Sequence, residues 1–198
     1  MMQKKIELLR KTGHIHQVAD VTPIEYREGR ADKLSAWQVK NGPLSFTVMQ
    51  GKGMDLSELS YKGINFSFLS KPGLQGRNQY DTNGQEALRS IMGGMLFTCG
   101  LENICAVYQN GETQYPMHGR IRTTPAEHTA VRTRWTSEGY EMELYGEMRE
   151  AELFGENLVL KRTITTIWPK KEIRIRDVIE NQSFREEPLM LLYHINAG

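Results

Sequence analysis

Apolar and polar residues alternate through the second half of the chain. Segments 140–150, 158–167 and 172–180 alternate apolar residues with charged residues or threonine. Turn residues separate these segments, as in Ser137-Glu138-Gly139 and Trp168-Pro169. Because successive side chains of a strand point to opposite faces of a sheet, this pattern predicts an antiparallel meander.

The first half is less regular but also predicts strands. Glycine-containing turns separate the strands of two expected hairpins, 36–40 with 44–49 and 54–61 with 64–69. The polar segment 77–84 is typical of a long surface loop, and 86–92 favours one helical turn. Since no amphipathic helix of normal length is expected, the predicted fold class is all-β, an antiparallel sandwich or barrel.

Length and charge limit the possible functions. The chain has 198 residues and a net charge of +1, which favours a single domain over 1–198 and no nucleic-acid partner. Residues 1–11 lack the apolar core of a signal peptide, and the longest strongly apolar run, 189–193, is too short to cross a membrane. We therefore expect a cytoplasmic protein with free thiols at Cys99 and Cys105.

Two histidines lie in segments that could form a binding cleft. If 115–120 is extended, His118 and Arg120 share one face; the alternative is a histidine in an exposed loop. His194 lies on the predicted strand 188–196, on the same face as Asn196. It is either a hydrogen-bonded core residue or a general acid, because imidazole titrates near neutral pH.

A second pair, His14 and His16, could chelate a metal from one face of a strand, as in a cupin-like barrel. The pair precedes any clear strand and lacks the glycine framing of such a site. We therefore expect no metal and no cofactor.

Several short motifs then occur in a recognisable order. The chain resembles the aldose-1-epimerase-like proteins of the DUF4432 type, within the galactose-mutarotase-like superfamily. The motifs that carry the resemblance are Gly53-Met54-Asp55, Gly93-Gly94, Thr98-Cys99-Gly100-Leu101-Glu102-Asn103, His118-Gly119-Arg120 with Pro125-Ala126, Gly146-Glu147-Met148-Arg149-Glu150, Asn157-Leu158 with Arg162, Asp177-Val178 with Asn181, and Leu192-Tyr193-His194-Ile195-Asn196.

The resemblance implies a large antiparallel β-sandwich with a small-molecule sugar bound in a cleft on one sheet. It implies that His194 is the general acid at the ring oxygen and that His118 helps to hold the sugar. Arg120, whose guanidinium offers fixed donors, is implied as a ligand of sugar hydroxyls, together with Asn196 and Asp55.

One departure from the family pattern concerns the general base. In the family this glutamate follows the strand that carries His194, whereas this sequence ends at Gly198. We therefore expect a domain that lacks roughly its C-terminal third, impaired epimerase activity, and self-association through an open sheet edge. A non-catalytic sugar-binding or sensing module and a cupin-like metal-dependent barrel remain the alternatives.

Overall fold

Strands are the main secondary structure of the described chain. The computed structural model describes residues 2–76 and 84–198, so most of the loop predicted at 77–84 lies outside the described residues. The strands are β1 (Ala19–Glu25), β2 (Ser35–Asn41), β3 (Leu44–Met49), β4 (Asp55–Tyr61), β5 (Ile64–Asn65), β6 (Phe97–Leu101), β7 (Tyr108–Asn110), β8 (Thr113–Tyr115), β9 (Glu127–Trp135), β10 (Tyr140–Ala151), β11 (Asn157–Trp168), β12 (Ile173–Asn181) and β13 (Met190–His194).

The first sheet is an antiparallel meander in the order β1-β2-β3-β4-β5. Asn41 pairs with Leu44 across a turn in which Gly42 has a positive φ, as the first predicted hairpin requires. The second predicted hairpin also forms, but β5 keeps only two residues in the ladder. Beyond it, Ser67 bridges to Ala197 and Leu69 bridges to Gly93, so the chain leaves this sheet.

The second sheet has the order β12-β11-β10-β9 and follows the alternation in the sequence. Leu144 on β10 pairs with Ile164 on β11, and both side chains are fully buried. Glu143 and Thr165 occupy the next pair, on the opposite face of this sheet. The predicted antiparallel meander is therefore confirmed.

The core lies between these two sheets. One apolar cluster joins Val39 and Phe46 from the first sheet to Leu144, Leu160 and Ile164 from the second. Full burial of each such side chain contributes ~1.5–3 kcal/mol relative to exposure, so this interface dominates the stability of the fold. The arrangement is an antiparallel β-sandwich, as predicted.

A ten-residue helix, α1 (Met2–Lys11), is an element that the sequence analysis did not expect. Its residues are mostly good helix formers, and Lys11 Nζ lies 2.8 Å from Glu7 Oε1 one turn earlier. Its apolar residues Ile6 and Leu9 are exposed, so the helix lacks the buried apolar stripe of an amphipathic helix. The expected turn at 86–92 is a 3₁₀ helix at Gly84–Arg89.

Within the described residues, none of the helices combines the length and the apolar character needed to cross a membrane.

Candidate active site

The candidate site is built on the two-stranded ladder of β6 and β13. His194 pairs with Phe97, and Leu192 pairs with Cys99. Because side chains alternate along each strand, these four residues share one face of the ladder. Thr98 lies on the other face, so the two sides of β6 have different surroundings.

His118 reaches this site from a turn that follows β8. Its φ is 61°, and its N–H donates to the Cys105 carbonyl at 2.8 Å. The segment is therefore not extended, and the prediction that alternation brings His118 and Arg120 to one face was wrong. Gly119 completes the turn at φ 72°, where a Cβ would stand 1.8 Å from the Gly100 carbonyl oxygen, so only glycine fits.

The two histidines meet although they are far apart in the sequence. The ring centroids of His118 and His194 are 5.3 Å apart, with an angle of 80° between the ring planes. Phe97 packs edge-on against His118 at 6.0 Å. The two imidazoles, which the resemblance assigns to one site, therefore lie close together.

The protonation of His118 is set by a backbone carbonyl. His118 Nδ1 lies 2.8 Å from the Ile104 carbonyl oxygen, which can only accept a hydrogen bond, so Nδ1 carries the proton. Nε2 is then left with a free lone pair. Burial lowers the pKa of His118 and outweighs the Ile104 hydrogen bond, while the charges of His194 and Arg122 lower it further. The ring is therefore neutral at pH 7.

Cys99 lies next to the two imidazoles, on the buried side of the site. Its side chain is fully buried, whereas His118 is half-buried and His194 is solvent-accessible. Burial, followed by the charge of Asp55, raises the pKa of the Cys99 thiol to about 12. The thiol is therefore protonated at neutral pH when nothing is bound to it, and it is a poor nucleophile.

Arg122 is the residue that sequence reasoning missed. It lies in the 3₁₀ helix Ile121–Thr123 and is only 1% exposed. Its Nη1 donates to Ser90 Oγ at 2.9 Å, while Nε and Nη2 have no hydrogen-bond partner within the described residues. Burial lowers the pKa of Arg122 to about 10, and its charge acts on Cys99 and His118. It brings unused donors to the buried side of the site.

Arg120 is engaged elsewhere. Its Nη1 donates to Glu102 Oε2 at 2.5 Å, and Nη2 donates to the Gln114 carbonyl at 3.5 Å. Its charge also acts on the buried carboxyl of Glu150. Arg120 is thus part of a carboxylate cluster, whereas Arg122 is the arginine whose charge acts on His118.

Asp55 is fully buried on the Thr98 face of β6. Its carboxylate accepts hydrogen bonds from Thr98 N at 2.7 Å and from Arg162 Nη1 at 2.8 Å. Arg162 also donates to both oxygens of Asp177, at 2.9 and 2.7 Å. Tyr193 Oη adds a 2.7 Å bond to Asp177. This ion network joins β4, β6, β11, β12 and β13, and it places Asp55 on the face opposite the histidines.

Asn196 follows β13 directly. Its Nδ2 donates to the Gly94 carbonyl at 3.0 Å, and its own carbonyl accepts from Phe68 N at 3.0 Å. These bonds fix the chain just beyond His194.

The histidine pair near the N-terminus is not on a strand. His14 precedes the 3₁₀ helix Ile15–Gln17, and its Nδ1 accepts from His16 N at 3.2 Å. His16 Nε2 lies 3.1 Å from Asp20 Oδ1. The strand-face geometry considered for a cupin-like site is therefore absent at this pair.

Two solved structures are similar to this chain. The "putative aldose 1-epimerase" from Klebsiella pneumoniae subsp. pneumoniae matches with a TM-score of 0.82 at 18% identity, over 90% of this chain and 47% of that chain. The galactose 1-epimerase from Lactobacillus acidophilus NCFM gives a TM-score of 0.43 at 15% identity, over 75% of this chain and 45% of that chain. This chain thus spans about half the length of either solved structure. No curated protein matches it.

A family model identifies the chain more directly. The model described as "Domain of unknown function (DUF4432)" matches residues 32–198, which include β6, β13 and both histidines of the site. The Klebsiella structure shares the antiparallel sandwich that the described residues form. The chain therefore belongs to the DUF4432 family.

Proposed function

We propose that this chain binds a small-molecule sugar at the face of β6 and β13 and contributes the acid half of an aldose-1-epimerase reaction. The observation that supports this most is the approach of His118 and His194 to 5.3 Å from separate segments. A sugar ring presents hydroxyl groups around its edge, so its site needs polar side chains that converge from different elements.

The two imidazoles take different roles in this proposal. Mutarotation opens the sugar ring when a general acid protonates the ring oxygen and a general base removes the anomeric hydroxyl proton. His194, the more accessible ring, donates that proton. His118 stays neutral and offers the lone pair of Nε2 to a sugar hydroxyl, because Ile104 holds the proton on Nδ1. Rotation and re-closure then give the other anomer.

The proposal assigns no general base. Within the described residues no carboxylate forms an ion pair with His118 or His194, so the geometry of the site names no candidate for this role. Loss of a general base commonly costs about 10²–10⁴-fold in rate. We therefore propose that the chain by itself binds sugar but equilibrates anomers weakly or not at all.

Two measurements on matched variants test the proposal. Sugar binding is followed through the histidine NMR resonances during titration with glucose and galactose, and anomer equilibration is followed by polarimetry. The H194Q variant should lose any rate above background, and the H118Q variant should weaken binding. The H128Q variant alters an exposed histidine on β9 and should behave as the parent. Equal behaviour of all three variants would refute the site.

Because no general base is assigned, a second candidate function is a sugar-binding or sensing module without catalysis. Binding that depends on His118 and His194, with no acceleration of anomer equilibration even at high protein concentration, would favour this candidate. A rate equal to that of an active aldose 1-epimerase would instead show that a residue of this chain acts as the base. The cytoplasmic location and the self-association remain predictions.

A further inference from the structure

We propose that Cys99, His118 and His194 form a binding site for a divalent ion that favours sulfur and nitrogen ligands, such as Zn²⁺. The thiol sulfur and one nitrogen of each ring all lie within 4.8 Å of one another. The three ligands come from β6, from the turn after β8 and from β13, so the fold itself assembles them.

The ligand types suit such an ion. Zn²⁺ prefers thiolate and imidazole ligands in a tetrahedral arrangement, and sites with three protein ligands keep the fourth position for water or another small ligand. Among divalent ions of the first transition row, Zn²⁺ and Cu²⁺ bind such donors most tightly, whereas Mg²⁺ and Ca²⁺ require oxygen. This ligand set therefore selects zinc-like ions over the common hard cations.

His118 already has the orientation that a metal ligand needs. A histidine ligand usually donates its second ring N–H to a carbonyl or carboxylate, which fixes the tautomer and aims the other nitrogen. The 2.8 Å contact between Nδ1 and the Ile104 carbonyl provides this support. Nε2 is then the nitrogen that binds.

Access and charge also bear on the site. The imidazoles open to solvent above the buried thiol, so an ion can enter from the outside. Binding converts the thiol to a thiolate and releases its proton to water, which leaves one net positive charge on the ion and its ligands. Because the Arg122 guanidinium adds a further positive charge nearby, we expect hydroxide or chloride in the fourth position.

A second group of ligand types, Glu127, His128 and Glu147, provides a contrast. These side chains lie on the outside of the second sheet, and two of them are exposed. They are already paired: Glu147 accepts from Tyr145 Oη at 2.5 Å, and Arg149 Nε donates to Glu127 at 3.2 Å. This group therefore serves as a control and carries no proposal.

The direct test uses the reduced full chain and Co²⁺ as a spectroscopic probe, followed by Zn²⁺ titration by calorimetry. The parent should bind one equivalent and show the near-ultraviolet absorption of a cobalt–thiolate bond. The C99S variant should lose this absorption and at least about tenfold in affinity. The C105S variant removes the exposed thiol and should retain both, as should H128Q.

A variant that keeps the buried thiol controls for the possibility that C99S misfolds. H194Q changes an accessible side chain, so its fold, checked by circular dichroism, should be unaltered while its affinity for Co²⁺ falls at least about tenfold. The proposal is overturned if the parent does not bind Co²⁺ or Zn²⁺, if C105S removes the absorption as C99S does, or if H194Q binds as tightly as the parent.

The functional consequence of metal binding rests on the proposed function. Since the same ring nitrogens cannot bind a metal and a sugar together, Zn²⁺ should suppress the histidine NMR changes caused by sugar, and a chelator should restore them. If the chain binds metal but sugar causes no change in the histidine resonances, the proposed function is refuted and the metal site is still supported. If saturating Zn²⁺ leaves the changes caused by sugar unaltered, metal and sugar do not compete for the same nitrogens.

Discussion

Replacement of Glu150 by glutamine should stabilise the protein at alkaline pH. Glu150 lies on β10 and is 3% exposed. Its Oε2 accepts only a 3.3 Å bond from Leu101 N, and Oε1 has no hydrogen-bond partner within 2–76 and 84–198. Burial, reinforced by the charge of Glu102, raises the pKa of Glu150 from 4.5 to about 8. The folded protein thus keeps a proton that the unfolded chain releases.

The sign and size of the effect follow from this difference in pKa. Between pH 4.5 and about pH 8 the folded state binds more protons at Glu150, so its stability falls as the pH rises and levels off above about 8. One pH unit corresponds to ~1.4 kcal/mol, which sets an upper limit of ~5 kcal/mol for the whole range. Domains of this kind are typically stable by ~5–15 kcal/mol, so the loss is large.

Urea unfolding from about pH 5 to about pH 9 tests this reasoning, because glutamine mimics the protonated carboxyl without titrating. E150Q should lie within ~1 kcal/mol of the parent near pH 5 and exceed its unfolding free energy by several kcal/mol, up to ~5, near pH 9. Glu102 remains in both proteins, so its own contribution to the pH dependence cancels to first order in the difference between them. E143Q removes an outward-facing carboxylate from the same strand and should not reproduce the gain of E150Q near pH 9. Parallel curves for E150Q would refute a buried, protonated Glu150.

Further substitutions test the network and the turn. R162M should lose ~3–5 kcal/mol of unfolding free energy, because two buried carboxylates would lose their positively charged partner. R174M, at an exposed ion pair, should lose at most ~1 kcal/mol. Comparable losses in the two variants would contradict the network. Y193F should cost ~1 kcal/mol in the same urea assay, the value of one hydrogen bond, and no loss would show that the hydroxyl bond is unimportant. G119A should give insoluble or strongly destabilised protein, because its Cβ would overlap a backbone carbonyl, whereas G63A has open space at a similar φ of 78° and should cost only ~1 kcal/mol. Soluble G119A with a normal melting temperature would contradict the turn geometry.

The sandwich was predictable because its evidence is local. Alternation along 140–150 and 158–167 sets which side chains of β10 and β11 face the core, and the observed pairing of Leu144 with Ile164 follows from it. Helix α1 was not predicted because Ile6 and Leu9 are exposed, so its sequence lacks the buried apolar stripe that identifies an amphipathic helix.

The site depends on contacts between residues that are distant in the sequence, which local patterns do not encode. Asp55 and Arg162 are 107 positions apart, so their buried ion pair could not be predicted from the local sequence around either residue. Arg120 and Arg122 are two residues apart, and alternation assigns them to the same face. Their different fates arise from the 3₁₀ helix Ile121–Thr123, which directs one towards Glu102 and the other towards Ser90.

The two faces of β6 have a consequence for how sequence variation in this family should be interpreted. Thr98 is tied to the buried ion network, while its neighbours Phe97 and Cys99 face the histidines. A substitution at Thr98 or Arg162 would shift the backbone on which Cys99 and His194 stand. Such positions would score as functionally intolerant in a mutational scan although they contact no ligand. If only activity were measured in such a scan, and not folding, these scaffold residues would be mistaken for catalytic residues.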